Sequence, residues 1–431
     1  MKLENYQEIR DGKLYHRHYS YQDIAEQFGT PLYIFDEVSF RERVQAYKKA
    51  IQTDYFQTEI LFASKSLLTL AIARLIKELD IGQDVVSQGE IYTGLTGGVD
   101  PAKMYFHGNN KLDSELEYAL HSGVGTIVID NRQEAQRIND LVEQLQLPAQ
   151  RVLLRLNPGI NAHTHEYIAT ANDSSKFGEN IHDPNIMSII NDIYQAPGLS
   201  LVGFHSHIGS QIFDGDSFKK AALVMIDFAH QVEKKLDIRV EELNFGGGFG
   251  VYYSEGDQPF DVPEFLPELI EFINQESTDK GLNLQKVTFE PGRSLVNASG
   301  STLYKVGDLK ETLGGVNYIF IDGSMNDNIR PALYQAEYEA MLVNKADQPL
   351  AKTYTVAGKA CESGDKIIEN IKLPQAKCGD LLLVNGTGAY NYTMASNYNQ
   401  IPKPAMIHVQ DDQIVETVKR QSFADLIANH I

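Results

Sequence analysis

The chain has 431 residues, of which 42% are apolar and 22% charged, and its formal net charge is −20. This length suits two domains better than one core. The negative charge argues against a nucleic-acid partner, because phosphate backbones attract clustered lysines and arginines. No apolar run is long enough for a membrane span, no secretory signal pattern opens the sequence, and only two cysteines occur. We therefore expect a cytoplasmic protein that binds neither nucleic acid nor membrane.

The N-terminal segment, as far as Phe35, contains short apolar pieces and is predicted to belong to a β-rich unit. Ser39–Ala50 then has a helical composition. Phe40, Val44 and Tyr47 recur there at the spacing that places them on one face of a helix. The sequence thus predicts a strand-rich start followed by a helix.

From Ile60 onward, short apolar runs alternate with helical patterns. Eight such runs occur, which is the strand count of a (β/α)₈ barrel. An open doubly wound sheet is the alternative, but it normally uses fewer strands, and no GxGxxG motif opens a first helix. The predicted strands are Ile60–Ala63, Asp84–Val86, Met104–Phe106, Thr126–Ile129, Val152–Leu156, Leu201–Phe204, Glu242–Phe245 and Val287–Phe289. The predicted helices are Leu67–Leu79, Ser114–His121, Arg132–Leu145, Phe218–Leu236 and Pro263–Gln275.

After Arg293 the rhythm changes to apolar runs separated by turns and loops, with almost no helical pattern between them. We predict a second, all-β domain that the N-terminal segment joins. The predicted bounds are 36–292 for the barrel, and 1–35 with 293–431 for the β-rich domain. The predicted strands of this domain are Leu303–Val306, Tyr318–Ile321, Thr353–Val356, Leu381–Val384, Ala405–Val409 and Ile414–Val418.

Polar residues end most of the predicted barrel strands, and the chemistry of such barrels lies at the C-terminal ends of the strands. Glycines in a loop at this rim would let backbone N–H groups close on an anion. The candidates are Lys65 after the first strand, Asp84 on the second, His107, Gly108 and Asn109 after the third, His205, His207 and Ser210 after the sixth, Gly246, Gly247 and Gly248 after the seventh, and Glu290 and Arg293 after the eighth.

A lysine, a glycine-rich anion loop and a carboxylate together indicate pyridoxal 5'-phosphate. Lys65 would bond to the cofactor aldehyde, and the glycines with Ser210 would hold the phosphate. Glu290 would keep the pyridine nitrogen protonated, so that the ring can accept the electrons of a neighbouring carbanion. The sequence therefore predicts a site for this cofactor at the barrel rim.

Two histidine pairs allow a different interpretation. His205 and His207, two residues apart on a predicted strand, would project to the same side and suit a metal or a flat ring. His163 and His165 have the same spacing in a predicted loop. A metal-dependent barrel hydrolase would normally carry its HxH pair on the first strand, whereas here a lysine ends that strand. We therefore expect no metal.

The sequence resembles the barrel-type pyridoxal-phosphate decarboxylases, and within them the diaminopimelate decarboxylases. The resemblance covers nearly the whole chain and implies the alanine racemase-like fold (fold type III). Three residues depart from the family pattern, namely Ser66, Ser324 and Lys359, but none replaces a chemical group. The matching motifs are FASKS, DVVSQGE, FHGNNK, RLNPGINAHTHEYIAT, SKFG, GFHSHIGSQ, NFGGGFG, FEPGR, IDGSMNDNIRPALY, CESGD and GAYNYTMASNYN.

The resemblance implies roles for residues that match these motifs. His207 would stack on the cofactor ring, and Tyr390 would lie near the phosphate and the substrate. Arg293, Arg330 and Tyr334 would bind the far, amino-acid end of the substrate.

The resemblance also implies a homodimer with shared active sites. Cys361 and Glu362 would come from the partner subunit. Glu362 would pair with the distal ammonium group of the substrate, and Cys361 would be the proton donor near the α-carbon. We do not predict whether the loop Asn172–Phe177 is ordered.

The pair Arg330 and Tyr334, in the motif NDNIRPALY, is the clearest signal for substrate choice. A second substrate carboxylate needs a bidentate cation, which arginine supplies and lysine does not. Ornithine and lysine decarboxylases, which the chain also resembles, have no need of this arginine, although it could be a structural ion-pair residue. We expect decarboxylation of meso-2,6-diaminopimelate at its D-centre to L-lysine, the last step of lysine biosynthesis. The alternatives are a decarboxylase of another diamino acid or a siderophore precursor, and a non-catalytic cofactor carrier.

Overall fold

The computed structural model of the chain describes residues 1–159 and 175–431. The chain forms two compact units. The unit that we call the barrel unit consists of Arg43–Gly250 and Pro259–Ser294. The other, the strand-rich unit, consists of Met1–Glu42, Val251–Gln258 and Leu295–Ile431.

The N-terminal part of the strand-rich unit contains a helix that the sequence analysis missed. Ser20 caps this helix by accepting a hydrogen bond from the Asp23 backbone N–H. The predicted helix at Ser39 begins two residues earlier than expected. The elements of this part are β1 (Gln7–Arg10), β2 (Lys13–His16), β3 (Tyr19–Ser20), α1 (Tyr21–Phe28), β4 (Leu32–Asp36) and α2 (Glu37–Ala50), which continues into the barrel unit from Arg43.

Eight parallel strands of the barrel unit close into a ring in chain order, which confirms the predicted (β/α)₈ barrel. They are β5 (Gln57–Ala63), β6 (Gly82–Val85), β7 (Met104–Phe106), β8 (Thr126–Ile129), β9 (Gln150–Asn157), β11 (Leu199–His205), β12 (Glu242–Asn244) and β13 (Lys286–Phe289). A two-residue strand, β10 (Glu179–Asn180), pairs with β9 outside the ring. Buried side chains from five of these strands form a core cluster of Leu61, Tyr105, Val128, Leu153 and Val202.

The helices of the barrel unit begin at residues that suit helix N-termini. Thr69, Ser87, Asn131, Asp214 and Asp261 each accept a hydrogen bond from a backbone N–H of the first turn. The helices are α3 (Leu70–Glu78), α4 (Gln88–Gly97), α5 (Asp113–His121), α6 (Arg132–Gln144), α7 (Ile186–Gln195), α8 (Gly215–Leu236) and α9 (Val262–Asp279). Of these, α4 and α7 were not predicted. Among the described helices of the chain, none is both long and apolar enough to cross a membrane.

The strand-rich unit continues after the barrel with a mostly antiparallel sheet. Its strands are β14 (Gly300–Glu311), β15 (Asn317–Ile321), β16 (Ala340–Leu342), β17 (Lys352–Ala357), β18 (Lys366–Leu373), β19 (Leu381–Asn385), β20 (Ala405–Val409) and β21 (Ile414–Val418). Three short helices follow the last barrel strand: α10 (Arg293–Val296), whose first two residues still belong to the barrel unit, α11 (Arg330–Tyr334) and α12 (Phe423–Leu426). The N-terminal β4 pairs with both β14 and β20 and so belongs to this sheet, whereas β1, β2 and β3 form a separate three-stranded sheet.

The parallel register of the barrel determines where the candidate residues lie. Ile60 of β5 is paired with Phe289 of β13, and the Ala63 backbone N–H donates to Pro291 O at 3.2 Å. The residues that follow these two adjacent strands, among them Lys65 and Glu290, therefore share one rim of the barrel.

Candidate active site

Glu290 lies directly after β13 and is buried, with 7% of its surface exposed. Its Oε1 accepts hydrogen bonds from His107 Nε2 and Asn244 Nδ2, both at 2.7 Å, and its Oε2 accepts from His205 Nε2 at 3.0 Å. Burial opposes ionisation, but the two histidines outweigh it and hold the pKa of Glu290 well below its ordinary value. The site therefore contains a buried, ionised carboxylate.

Two of these partners have no role in the sequence prediction. His107 was noted after the third strand but given no function, and Asn244 was passed over because the strand was predicted to continue to Phe245. The strand in fact ends at Asn244, which makes this amide the first polar group at the rim of β12. A polar amide at the end of an apolar run was the signal in the sequence that could have identified Asn244.

Local contacts hold His107 in place. Its backbone N–H donates to Val85 O at 2.8 Å, and its ring lies edge-on to that of His205 with centroids 4.7 Å apart. The loop after it is anchored by the buried Lys111, which donates to Gly108 O at 2.8 Å and pairs with Glu134 at 3.0 Å.

Lys65 and Asp84 face the same region as Glu290. Lys65 lies in a single 3₁₀ turn directly after β5, where it is exposed between the buried Ser64 and Ser66. Asp84 is the third residue of the four-residue β6, and not at its start as predicted. Burial raises the pKa of Asp84 above its ordinary value, and the nearby Glu290 raises it further. His107 and Lys65 oppose this shift without cancelling it. The ammonium and both carboxylates are thus close enough to influence one another.

His207 lies just beyond β11, which ends at His205. The strand alternation that would have placed both rings on one side therefore does not apply. The two rings have different surroundings, since His207 Nδ1 accepts from the Gly247 backbone N–H at 3.3 Å. Burial is the main cause that lowers the pKa of His207 well below its ordinary value, and Lys65 adds to it. A flat, uncharged ring thus lies between the lysine and the glycine loop.

The three glycines after β12 leave no room for a side chain. A Cβ at Gly246 would lie 2.7 Å from Ser206 O, one at Gly247 would lie 2.2 Å from Glu290 O, and one at Gly248 would lie 2.2 Å from Gly209 O. Gly246 and Gly248 also have positive φ angles, of 62° and 110°. Only glycine allows the loop to pass this close to the neighbouring strand ends.

Ser210 and Arg293 are in contact beside this loop. Arg293 Nε donates to Ser210 Oγ at 3.2 Å. Arg293 is the first residue of α10 and is buried, with 8% of its surface exposed. The rim thus combines a guanidinium and a hydroxyl next to the glycine loop, a combination that suits an anion.

The described residues include one group that could bind a metal by geometry. Ligand atoms of His107, His205 and Glu290 all lie within 4.8 Å of one another. This group differs from the pair His205 and His207 that the sequence suggested. The second candidate pair, His163 and His165, lies outside the described residues, as do residues 172–174 of the loop Asn172–Phe177.

Arg330 belongs to the strand-rich unit and begins α11. It is buried, with 6% of its surface exposed, and its Nη1 donates to Tyr338 OH at 2.7 Å. Its guanidinium also lies over the Tyr253 ring at 4.6 Å from the centroid. No carboxylate of the described residues lies within ion-pair distance of it, which argues against the structural ion pair considered above.

The other candidates of the strand-rich unit occupy loops or helix ends. Tyr334 ends α11 and is half-buried. Tyr390 is half-buried, has a positive φ of 63°, and is close enough to Arg330 to raise its pKa. Cys361 and Glu362 are exposed, and the Cys361 backbone N–H donates to Asn399 Oδ1 at 2.7 Å.

The model of the family "Pyridoxal-dependent decarboxylase, pyridoxal binding domain" matches residues 37–297. This range contains the barrel and the rim residues described above. The chain therefore belongs to the pyridoxal-dependent decarboxylases, as the motifs predicted.

Similar proteins narrow this class. Diaminopimelate decarboxylase from Bacillus subtilis (strain 168) is 42% identical over 404 residues, covering 94% of this chain and 92% of the relative. That from Staphylococcus aureus (strain COL) is 41% identical over 411 residues, covering 95% and 96%. The crystal structure of diaminopimelate decarboxylase from M. jannaschii in co-complex with L-lysine has a TM-score of 0.90 at 31% identity, covering 99% and 98%. Within the class, the chain belongs to the diaminopimelate decarboxylase family.

Proposed function

We propose that the chain catalyses the pyridoxal-phosphate-dependent decarboxylation of meso-2,6-diaminopimelate at its D-centre, giving L-lysine and CO2. The observation that carries this proposal is the ionised, buried Glu290 at the same barrel rim as the exposed Lys65. Both groups act on the pKa of His207, which lies near them. An amine and a carboxylate around one flat ring suit the two ends of the cofactor.

The donor set at the rim fits pyridoxal phosphate. The loop Gly246–Gly248 has no room for side chains, so its backbone can approach a phosphate closely. Asp84 Oδ1 is buried and has no hydrogen-bond partner among the described residues, so it can accept from a bound group. When bound, the cofactor supplies an electron sink for the carbanion that loss of CO2 leaves.

The residues of the chain have separate tasks in this proposal. Lys65 would hold the cofactor through its aldehyde until the substrate amine takes the place of the lysine amine. Glu290 would place a negative charge near the ring nitrogen and so favour its protonated form. His207 would pack on the ring, and Ser210 and Arg293 would add a hydroxyl and a positive charge beside the phosphate loop.

Arg330 binds the distal carboxylate of the substrate in this proposal. Its buried guanidinium is fixed by Tyr338 and Tyr253 but has no acidic partner among the described residues. A buried guanidinium without a counter-ion is costly, and a substrate carboxylate would relieve that cost. Tyr334 and Tyr390 contribute to the same binding region.

We also propose that the active enzyme is a cytoplasmic homodimer with shared sites. Cys361 and Glu362 are exposed, which leaves them available to a second copy of the chain. Glu362 then pairs with the distal ammonium group, and Cys361 donates the proton to the α-carbon. The two cysteines are both unpaired, as suits a reducing compartment. The matched range 37–297 supports cofactor binding by residues 36–292 and a separate domain of 1–35 and 293–431.

A substrate panel tests the proposed function. Purified enzyme loaded with the cofactor is assayed for CO2 and amine products from meso-diaminopimelate, lysine and ornithine, with Lys65→Ala as the control. We expect L-lysine and CO2 in equal amounts from meso-diaminopimelate, and no product with the control. Equal turnover of lysine or ornithine would instead favour a decarboxylase of another diamino acid.

Mixing two inactive variants tests the shared site. Lys65→Ala and Glu362→Ala homodimers are unfolded together, refolded as mixed dimers and assayed. If each site combines residues of two subunits, the hybrid regains one intact site and activity returns. Absence of recovery in dimers shown by mass spectrometry to be mixed would contradict the shared site.

A further inference from the structure

We infer that His107 and His205 are positioning residues: they hold Glu290 as an ionised carboxylate with one acceptor position directed to the cofactor nitrogen. This inference rests on the proposed function, because it assigns Glu290 to that nitrogen. It goes further in assigning a task to two histidines that the decarboxylation scheme does not otherwise use.

The hydrogen bonds that the described residues make to Glu290 leave one of its acceptor positions open. A carboxylate has about four lone-pair positions, two on each oxygen. His107 and Asn244 occupy both positions of Oε1, and His205 occupies one position of Oε2. Among the described residues, the remaining position of Oε2 has no donor. Three fixed donors therefore determine where a fourth one, the protonated ring nitrogen, can bind.

The protonation state of His205 determines which of its ring nitrogens donates to Glu290. Burial lowers the pKa of His205 to about 4; Glu290 opposes this shift, and His107 and Arg155 add to it. His205 is therefore neutral at pH 7. Because an ionised carboxylate can only accept, the proton of this neutral ring must be on Nε2. Nδ1 of His205 is buried without a partner in the described part of the chain, which agrees with that tautomer.

A neutral donor differs from a cation in its effect on the carboxylate. A lysine or arginine paired with Glu290 would cancel most of its charge and so weaken its hold on a protonated pyridine. Among the described residues, neither a lysine nor an arginine lies within ion-pair distance of Glu290. The neutral His205 and Asn244 donors fix the carboxylate geometrically and leave its negative charge to the ring nitrogen.

Substitutions that keep or remove the N–H donor test the inference. His205→Gln retains a donor, whereas His205→Leu removes it at similar volume; His107→Gln and His107→Leu form a second pair. For each enzyme we would measure kcat, KM, the dissociation constant of the cofactor from titration of the cofactor-free enzyme, and the absorbance of the lysine-bound cofactor against pH. Metal content of the wild type is measured in parallel.

We expect the leucine variants to lose about 10- to 100-fold in kcat and to bind the cofactor about 10-fold more weakly, with KM changed less than about threefold. The pH at which the ring nitrogen of the bound cofactor loses its proton should fall, because this nitrogen is less well stabilised as a cation. The glutamine variants should recover most of these losses.

Three outcomes would overturn the inference. Equal losses in the leucine and glutamine variants would mean that the rings act by packing alone. A stoichiometric metal on His107, His205 and Glu290 would make them ligands instead. A wild type that shows no lysine-bound absorbance would overturn the proposed function together with this inference, whereas the first two outcomes overturn the inference alone.

Discussion

Two buried glutamates on neighbouring barrel strands have different surroundings. Glu242 begins β12, at the N-terminal face of the barrel, whereas Glu290 follows β13 at the C-terminal rim. Glu242 pairs with Arg151 and accepts from Tyr105 OH at 2.8 Å, so its charge is compensated by a cation. Within the described part of the chain, Glu290 accepts only from two histidines and an asparagine. The same residue type thus serves stability at one face and is prepared for a ligand at the other.

The wider surroundings of Glu242 support a structural role. Lys286 donates to Tyr105 OH at 3.0 Å and pairs with Glu59 at 2.5 Å, which extends the network around the N-terminal face. Thr288 Oγ1 also donates to Glu242 at 3.2 Å. Charges and hydroxyls there satisfy one another, so this face has no evident need of a ligand.

The largest effect should come from Glu290→Gln. The substitution removes the negative charge but keeps the size of the side chain, so we expect kcat to fall by about 10²–10³-fold, as for loss of one electrostatic stabiliser. Thermal unfolding should change little. The measurement is steady-state turnover of meso-diaminopimelate beside the melting temperature. A variant with normal kcat would contradict the role of this carboxylate.

Glu242→Gln should lower stability and leave turnover nearly unchanged, the reverse of the result expected for Glu290→Gln. The substitution removes the charge partner of Arg151, but the Arg151 side chain is 37% exposed and water compensates part of its charge, so we expect a loss of about 1 kcal/mol in the free energy of unfolding. Turnover at 25 °C should stay within about twofold of the wild type, since this face lies at the other end of the barrel. Urea unfolding with activity assays checks both parts. A fall in kcat without destabilisation would remove the contrast between the two glutamates.

Arg330→Lys should affect substrate binding more than chemistry. Lysine keeps the charge but loses the planar fork of the guanidinium. We expect binding to weaken by about 1.5–3 kcal/mol, which lowers kcat/KM for meso-diaminopimelate by about 10- to 150-fold, mainly through KM. Inhibition by lysine, which lacks the second carboxylate, should change little. Equal weakening of both ligands would indicate a general structural role for Arg330.

Asp327 of the strand-rich unit extends the comparison to a third buried carboxylate. Burial raises its pKa to about 7, and no histidine of the described residues donates to it as His107 and His205 do to Glu290. Between pH 4 and 7 the folded state keeps a proton that the unfolded state has released, so stability falls as pH rises through this window. Asp327→Asn has no such proton. The variant should gain about 4 kcal/mol over the wild type at pH 8 relative to pH 4, measured by urea unfolding at both values.

Much of the barrel could be predicted from the sequence because its strands are continuous apolar runs, as strands buried on both faces require. Helix α4 was missed because its glycines hide the apolar pattern. Gly97 lies so close to α3 that a Cβ would be 2.3 Å from that of Ala73, so glycine is needed for packing. Helix α7 had a clear pattern, with Ile186, Ile189, Ile190 and Ile193 on its buried face, and was predictable.

Two strands of the strand-rich unit, β16 and β18, were not predicted, because their sequences lack a regular alternation of apolar and polar residues. In β18 the pairing register with β17 shifts twice, so inward and outward positions do not alternate regularly. The short β16 has only three residues.

In the candidate site, Lys65 and Glu290 were predictable because each directly follows a strand. The donors to Glu290 were not, because they come from three other strands and their meeting depends on the closed barrel. The burial of Arg330 against Tyr253 likewise joins residues far apart in sequence.

The most direct test of the central claim is a crystal structure of the enzyme with its cofactor bound. We expect a covalent bond from Lys65 Nζ to the cofactor aldehyde carbon, and the ring nitrogen within hydrogen-bond distance of Glu290 Oε2. A ring whose nitrogen faces another group, or a cofactor not bonded to Lys65, would contradict the account.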